Sequence, residues 1–340
     1  MTSKIYFSRE ISKDAIDKLF SRLDEGKAVS GKTVIKTHFG EKGQSRFVHP
    51  DFVREITRIV GGKTDDFFLS DTNTLYRGMR INATKHKEIA VEHGFDFAPI
   101  IIGDGEEGNE EYLVKINKKH FDKVHLGKMY EDIDSMVVVS HFKGHVLFGF
   151  GGALKNLSMG CASRAGKLAM HSKVSPHVGD GCTKCGVCVD KCPADAIDII
   201  DEGAYIDNDG CIGCAECIAI CPVGAIKVPF GGASSFEAME RGAEYAYGAV
   251  QNKSCVYFTF INNITRHCDC LSDSEIIGKD IGIIAGTDPV AMDKAAYDLL
   301  LEHHDGKDVF QDAGNPDGTR IIDYSGELGF GSKEYEIKEI

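Results

Sequence analysis

Eight of the chain's twelve cysteines form two runs with the same spacing. Residues 182–193 read CTKCGVCVDKCP and residues 211–222 read CIGCAECIAICP, so each run is C-x2-C-x2-C-x3-C-P. Thiolates at this spacing ligate [4Fe-4S] clusters, as in bacterial ferredoxins that carry two of them. The alternative is a pair of zinc ribbons, but ribbons use paired C-x2-C units and give no role to a third cysteine followed by C-x3-C-P.

The ligation is expected to cross between the two runs. The first three cysteines of a run lie on one tight loop, whereas the fourth, which precedes proline, is directed toward the other cluster. The predicted ligands of the first cluster are Cys182, Cys185, Cys188 and Cys221. Those of the second cluster are Cys211, Cys214, Cys217 and Cys192. A shift of 29 residues superposes all four cysteines and both prolines, which predicts two half-domains related by a pseudo-twofold axis.

The segment that carries both runs is acidic. Residues 176–229 contain nine Asp and Glu against three Lys, a net charge of −6. An acidic surface steers a carrier toward a basic patch, so we expect a redox partner protein with a basic docking face. A merely solvated acidic face is the alternative interpretation.

The rest of the chain alternates between predicted strands and helices. Short apolar or β-branched runs, typical of buried strands, occur at 4–8, 33–38, 66–71, 98–103, 135–141, 255–261 and 281–286. Amphipathic stretches with helical periodicity occur at 11–25, 51–61, 81–94 and 288–302. This alternation predicts an α/β fold with a largely parallel sheet and flanking helices. We expect a discontinuous α/β domain, 1–175 and 230–340, interrupted at 176–229 by a small α+β ferredoxin-like two-cluster module.

Polar residues follow the predicted strands at the point where each strand ends. They are His38, Asp71, Asp104, His141 and Asp288. Open α/β sheets bind ligands in the crevice beyond the carboxyl ends of their strands, so these residues predict a site for a small-molecule substrate or cofactor. An Asp at such a position can instead be a helix cap, and a single His is often a hydrogen-bonded structural residue.

The stretch 140–167 is the densest candidate for that site. Glycines followed by a helix start and a lysine can form a cradle for an anion or phosphate, so a flavin or another anionic cofactor is a candidate ligand. A glycine-rich connection without a ligand is the alternative. The residues assigned to chemistry are His38, His141 and Lys143. Those assigned to cofactor binding are Gly151, Gly152, Lys155, Asn156 and Asp288.

Four cysteines lie outside the two runs: Cys161, Cys255, Cys268 and Cys270. The sequence RHCDC at 266–270 brings Cys268 and Cys270 close together, and C-x-C alone is too short to complete a tetrahedral site. A third metal ion near Cys268 and Cys270 would need Cys161 or a histidine such as His171. Reduced free cysteines are the alternative.

The composition narrows the function classes. The chain has 340 residues and a net charge of −13, which disfavours a nucleic-acid ligand held through its phosphates. It contains no signal-peptide pattern and no apolar run long enough to span a membrane, so we expect a cytoplasmic protein without a membrane partner. Thiols are kept reduced in that compartment, which favours metal ligation over disulfides.

The sequence resembles the iron-sulfur-centre members of the family called domain of unknown function 362. The resemblance runs through KTHFGEKG, SDTNTLYRG, HFKGHVLFGFGGALKNLSMGCASRAGK, the two cysteine runs, CDC and GTDPVAMDKAAYDLL. It implies an α/β domain with a ferredoxin insert and two [4Fe-4S] clusters, and it brings no catalytic residue with it.

Two hypotheses for the function follow. In the first, two clusters transfer electrons to or from a small molecule or cofactor in the strand-end crevice, as in a component of an oxidoreductase. In the second, the protein is a ferredoxin-like electron carrier or redox sensor whose α/β domain docks a partner protein.

Overall fold

A computed structural model describes residues 2–23, 29–172, 175–228, 233–268 and 274–340. The strands are β1 (Ser3–Ser8), β2 (Thr33–Lys36), β3 (Phe67–Asp71), β4 (Ile100–Ile102), β5 (Glu111–Lys115), β6 (Lys123–Gly127), β7 (Ser135–His141), β8 (Lys143–His145), β9 (Gly149–Gly151), β10 (His177–Val178), β11 (Ile197–Ile200), β12 (Gly203–Ile206), β13 (Ile226–Lys227), β14 (Ser254–Ile261), β15 (Gly282–Gly286) and β16 (Tyr335–Glu339).

The helices are α1 (Lys13–Leu23), α2 (Pro50–Gly61), α3 (Ala83–Glu92), α4 (Ala153–Cys161), α5 (Arg164–His171), α6 (Val187–Asp190), α7 (Glu216–Ile220), α8 (Ser235–Ala249), α9 (Pro289–His303), α10 (Val309–Asp312) and α11 (Thr319–Glu327). All four predicted helices are found, with α1 in place of 11–25, whose last two residues lie outside the described part of the chain. Helix starts follow their capping residues: Asn82 accepts the N–H of Lys85, and Asp288 accepts those of Val290 and Ala291.

The central sheet has eight strands in the order β16-β1-β15-β14-β7-β2-β3-β4. The five strands from β14 to β4 are parallel to their neighbours, and β1 is parallel to β16. Only β15 reverses direction within this sheet, since it pairs antiparallel with both β1 and β14. The predicted α/β fold with a largely parallel sheet is therefore confirmed.

Both faces of the sheet are covered, as the uninterrupted apolar runs require. Successive residues of β7 point to opposite faces: Met136 and Val138 belong to one hydrophobic core, and Val137 and Val139 belong to the other. Helices α4, α8 and α9 supply side chains to the first core, whereas α1, α2 and α3 supply them to the second. This packing fixes the strands whose carboxyl ends form the site.

Residues 177–227, which we call the cysteine unit, contribute no strand to the central sheet. They form two separate two-stranded antiparallel pairs, β10 with β13 and β11 with β12, around a small core of their own. The 29-residue repeat recurs in the backbone. Positive φ angles occur at corresponding residues of the two halves, namely Lys184 and Gly213, Gly186 and Ala215, and Asp195 and Gly224.

Candidate functional site

The first predicted cysteine set lines one small cavity of the cysteine unit. Cys182, Cys185, Cys188 and Cys221 all contribute to its wall, together with apolar residues that include Ile199. Every lining residue belongs to the cysteine unit. The fold thus brings the fourth cysteine of the second run to the first three of the first run.

The second set is grouped in the reciprocal way. Cys192 and Cys211 both act electrostatically on Cys214 and on Cys217, and Cys188 of the first set also acts on Cys217. Burial and these neighbouring sulfur atoms raise the pKa of Cys217 to about 12. A metal that binds here must displace the thiol protons, so ligation becomes more favourable as the pH rises.

Backbone amides point at three of the sulfur atoms. The N–H of Ala196 donates to Cys192 Sγ at 3.4 Å, and that of Ala225 donates to Cys221 Sγ at 3.2 Å, again 29 residues apart. The N–H of Ala204 donates to Cys182 Sγ at 3.3 Å. Such bonds favour an anionic sulfur and raise the reduction potential of a cluster ligated by it.

The sulfur atoms are not arranged around a single ion. Among the described residues, no group of three or more His, Cys, Asp or Glu side chains is placed to hold one metal ion. A zinc site would draw its thiolates to about 2.3 Å from a common centre. The four irons of a [4Fe-4S] cluster are each ligated by one cysteine, so its ligands stand farther apart than those of a single zinc ion.

A larger cavity of about 610 Å³ opens where β2, β3 and β7 end, and we call it the strand-end cavity. It brings together seven of the eight residues predicted for chemistry or cofactor binding. They are His38, His141, Lys143, Gly151, Gly152, Lys155 and Asn156. These residues come from separate strands and from the start of α4, so the topology of the sheet creates the grouping.

The prediction that Asp288 belongs to this edge is wrong. Asp288 follows β15, which runs antiparallel to β14 and therefore ends at the opposite edge of the sheet. There its carboxylate accepts hydrogen bonds from Ser3 Oγ and from the backbone N–H of Ser332, besides capping α9. It is a structural cap, because β15 runs in the reverse direction.

The predicted anion cradle at the start of α4 is also wrong as a phosphate site. Asp293 of α9 is 1% exposed, and its carboxylate accepts the N–H of Ala153 at 2.6 Å and that of Leu154 at 3.0 Å. A Cβ atom on Gly152 would lie 2.3 Å from Asp293 Oδ1. The glycine therefore admits an internal carboxylate, and this carboxylate occupies the amides that a phosphate would use.

An ion pair forms the floor of the cavity. Lys36 Nζ lies 3.0 Å from Asp71 Oδ1 and donates to Asn156 Oδ1 at 2.8 Å. Burial opposes ionisation of Asp71, but Lys36 and His38 overcome it and hold the pKa of this carboxyl well below its usual value. Sequence reasoning missed Lys36, although a lone lysine inside the buried run TVIK was a usable signal.

His38 and His141 differ in their surroundings. His38 Nδ1 lies 3.5 Å from Asp71 Oδ2, and the side chain is 28% exposed. The ring nitrogens of His141 lie 2.9 Å from the carbonyl oxygen of Arg46 and 2.6 Å from that of Asn262. His141 therefore links two loops, which suits a structural role, whereas His38 is better placed to exchange a proton with a ligand.

Lys167 enters the cavity from α5. Its Nζ donates to Thr72 Oγ1 and to the carbonyl oxygen of Ala162, both at 2.6 Å, and lies 3.9 Å from Asp104 Oδ2. Burial lowers the pKa of Lys167 to about 8. This ammonium can therefore lose its proton at a pH close to neutrality.

Two buried histidines stand beside it. His145 Nδ1 accepts the N–H of Phe148 at 3.1 Å, which leaves the proton on Nε2, and burial lowers the pKa of His145 well below its usual value. Burial lowers the pKa of His171 to about 4. Both rings are neutral hydrogen-bonding groups near pH 7.

The cysteines outside the two runs are dispersed. Cys268 lines the strand-end cavity with His171, whereas Cys161 is fully buried and is not among the residues that line it. Cys270 lies outside the described residues. Burial raises the pKa of Cys161 to about 12 and that of Cys255 to about 11, so both are protonated and unreactive thiols near pH 7.

The cavity and the cysteine unit share a wall. Leu75 lines the cavity and also packs in the small core that contains Cys188, Cys217 and Cys221. Helix α5 makes a second connection, because Lys167 faces the cavity and the adjacent Leu168 belongs to the core of the cysteine unit.

The model for the family described as Domain of unknown function (DUF362) matches residues 33–298. The chain belongs to this family. No curated protein matches it. None of the helices in the described part of the chain is long and apolar enough to cross a membrane.

Two solved structures are similar in fold at low sequence identity. The lactate racemase apoprotein from Thermoanaerobacterium thermosaccharolyticum is 12% identical with a TM-score of 0.43, and the match covers 84% of this chain and 54% of that one. A structural-genomics protein from Thermotoga maritima is 13% identical with a TM-score of 0.41, over 95% and 60% of the respective chains. The chain thus spans less than two thirds of either protein.

Proposed function

We propose that this protein is an iron-sulfur redox protein that transfers electrons through two [4Fe-4S] clusters to or from an anionic small molecule in the strand-end cavity. The observation that carries the proposal is the shared wall: Leu75 touches both the cavity and the core that surrounds the cysteines. A cluster module that served only an external partner would have no need to adjoin a polar cavity.

The cysteine unit is the proposed cluster-binding module. Each of its two sets of four cysteines would ligate one cluster, and Cys192 and Cys221 would each ligate the cluster of the other run. When bound, such clusters accept and release single electrons. The chain's own contribution is to hold the thiolates, to donate backbone N–H bonds to sulfur and to exclude water with residues such as Ile218 and Ile226.

The charges of the cavity favour an anion. Among the described residues that line it, Asp71 supplies the carboxylate, and it is already paired with Lys36. The cationic side chains are Arg80, Lys143, Lys155 and Lys167. Such an excess of positive charge in a chain of net charge −13 attracts a carboxylate, a phosphate or an anionic flavin.

His38 is the residue best placed to move a proton together with an electron. It is partly exposed to the cavity and lies beside the Asp71 carboxylate. The Asp71 carboxylate and Arg80 Nη1, which lies 3.3 Å from His38 Nδ1, hold the ring in position. His38 can thus supply or remove a proton while the bound molecule changes its oxidation state.

Anaerobic purification followed by iron, sulfide and small-molecule analysis tests the proposal. We expect about eight irons and eight acid-labile sulfides per chain, with zinc absent. Mass spectrometry of the extract should identify an anionic organic molecule in roughly stoichiometric amount.

A matched pair of variants localises that molecule. Lys143→Met should keep its iron and lose affinity for the molecule about tenfold or more, because a charge-assisted bond contributes about 1.5–3 kcal/mol. Lys42→Met removes an exposed lysine outside the cavity lining and should change neither quantity. Full iron content with no organic molecule would reject the cavity as a redox site.

The second candidate function is an electron carrier or sensor that docks a basic partner. Exposed apolar side chains on the acidic cysteine unit favour it, with Ile212 68%, Tyr205 51% and Val223 48% exposed. Electron exchange with such a partner should slow as salt is raised from about 0.01 M to about 0.5 M, since the Debye length shrinks. Ile212→Ser should slow this exchange too. An exchange rate that stays the same at high salt and in Ile212→Ser would exclude docking on this face.

A further inference from the structure

Arg164 is a buried cation between the cavity and the cysteine unit. Its side chain is 1% exposed, and its guanidinium donates to the backbone carbonyl oxygens of Glu107 and Ile81. Its Nε atom is buried without a hydrogen-bond acceptor. The chain closes tightly around the group, because a Cβ atom on Gly108 would lie 3.0 Å from the guanidinium carbon.

The charge of Arg164 lacks a matching ion pair. Among the described residues, no carboxylate lies within 4.0 Å of its guanidinium nitrogens. The acid that acts on it most strongly is the buried Asp104, which also lies 3.9 Å from Lys167. Two buried cations thus share one carboxylate. A buried charge without a partner costs several kcal/mol, so this position calls for a further negative charge nearby.

The other groups that act on Arg164 lie in the cysteine unit. After Asp104 and Glu107, they are Glu216 and Cys214, both from the second cysteine run. Four thiolates around a [4Fe-4S] core carry a net negative charge in either oxidation state. The second cysteine set can therefore supply the counter-charge that the described carboxylates do not.

We propose that Arg164 is the counter-charge of the cluster held by Cys192, Cys211, Cys214 and Cys217, and that it raises the reduction potential of this cluster. The inference rests on the proposed iron-sulfur function and deepens it. A fixed positive charge stabilises the reduced, more negative form of a cluster. Lys167 lies one helical turn further along α5 and faces the cavity, so α5 carries one cation that acts on the second set and one at the cavity.

The first set has a different electrostatic environment. Its cavity is lined entirely by the cysteine unit, and Cys182 accepts the N–H of Ala204 from the β11–β12 hairpin. The turn of this hairpin carries Asp201 and Glu202, which are exposed. Acidic neighbours disfavour an added electron, whereas Arg164 favours one at the second set, where Glu216 opposes it.

Electron paramagnetic resonance during an anaerobic redox titration tests this assignment. In Arg164→Met the ratio of reduced to oxidised second cluster at a fixed potential should fall about tenfold, which corresponds to about 59 mV for one electron. The midpoint of the first cluster should not change. Cys185→Ser, which alters the exposed ligand of the first set, assigns the two signals.

Three further variants keep the test decisive if Arg164→Met folds poorly. Arg164→Lys retains the charge and should restore most of the potential. Glu216→Gln removes a negative charge and should move the second midpoint upward. Arg77→Met removes an exposed cation that donates to the carbonyl oxygen of Pro222, and it should leave the second midpoint unchanged.

The outcomes separate the two proposals. A wild-type protein that binds no clusters under anaerobic reconstitution overturns the proposed function and this inference with it. Two clusters whose midpoints move together, or do not move, in Arg164→Met and Glu216→Gln overturn the role of Arg164 and leave the iron-sulfur function standing.

Discussion

The cysteine unit and the strand-end cavity differ in what holds their polar groups in place. In the unit, the sulfur atoms of Cys182, Cys192 and Cys221 each accept a backbone N–H, and thiols fill much of the small core. In the cavity floor, Lys36 and Asp71 neutralise each other. On the proposed function the first region is complete only with an external group, whereas the ion pair of the second is satisfied within the chain, so their stabilities should respond to opposite treatments.

Removing iron should produce the largest effect and should be confined to the unit. A segment of about 50 residues buries too little apolar surface to fold securely alone, and metal binding supplies folding free energy in such units. Hydrogen exchange should show residues 177–227 approaching unfolded rates after chelation, while β7 and β14 remain protected. An equal loss of protection in the central sheet would contradict the expectation that the effect is confined to the cysteine unit.

Replacing Lys36 should give the reverse pattern. Lys36→Met leaves the Asp71 carboxylate buried beside α4 without its closest cation, which costs about 3–5 kcal/mol of unfolding free energy. Urea denaturation followed by far-UV circular dichroism measures the loss, and iron content should stay at the wild-type level. The double variant Lys36→Met with Asp71→Asn removes both charges and should recover part of the stability.

The two regions also differ in how far sequence could predict them. The cysteine unit is specified by spacing over 40 residues, and its repeat reappears in paired backbone angles such as those of Gly186 and Ala215. The sheet could be predicted from the hydrophobic periodicity, and most of the cavity lining could be predicted from the polar residues at the ends of the predicted strands. The reach of Asp293 to α4 could not, because it joins residues 140 positions apart. The direction of β15 could not either, because a short apolar run is compatible with pairing in either direction, and only its antiparallel pairing with β14 and β1 fixes it.

Lys36 teaches a related point. Its position inside a buried strand looked like part of an apolar run, and its partners Asp71 and Asn156 lie 35 and 120 residues away. Periodicity places such a side chain in the interior and does not name its partner. A charged residue in a fully buried strand is therefore a signal that an opposite charge must be sought among the ends of neighbouring strands.

A smaller effect should distinguish the two strand-end histidines. His141→Ala removes the ring that contacts the carbonyl oxygens of Arg46 and Asn262, of which that of Arg46 still accepts from Lys143 Nζ at 3.1 Å, and should cost about 1–3 kcal/mol. His38→Ala removes a partly exposed ring and should cost less than about 1 kcal/mol, but it should slow proton-coupled turnover. Thermal unfolding and turnover with the extracted molecule check this split, and equal stability losses would contradict it.

The internal carboxylate that occupies the start of α4 should make the stability of the protein depend on pH. Burial raises the pKa of Asp293 to about 7, even though it accepts two backbone N–H bonds. The folded protein therefore keeps this proton up to about pH 7, whereas an unfolded Asp loses it near pH 3.9. Between these values the unfolded state binds fewer protons, so the contribution of Asp293 to stability falls as the pH rises, by at most about 1.4 kcal/mol per pH unit.

Asp293→Asn removes that titration and retains an acceptor for one of the two N–H groups, those of Ala153 and Leu154. The variant should be less stable than the wild type at pH 4, and this difference in stability should shrink steadily as the pH rises toward 7. Only the difference between the two proteins is informative, because other groups such as His171 titrate with the opposite sign. Denaturant midpoints that stay a constant distance apart from pH 4 to pH 7 would mean that the carboxyl of Asp293 is ionised throughout, and that the start of α4 holds a full negative charge facing the cationic cavity.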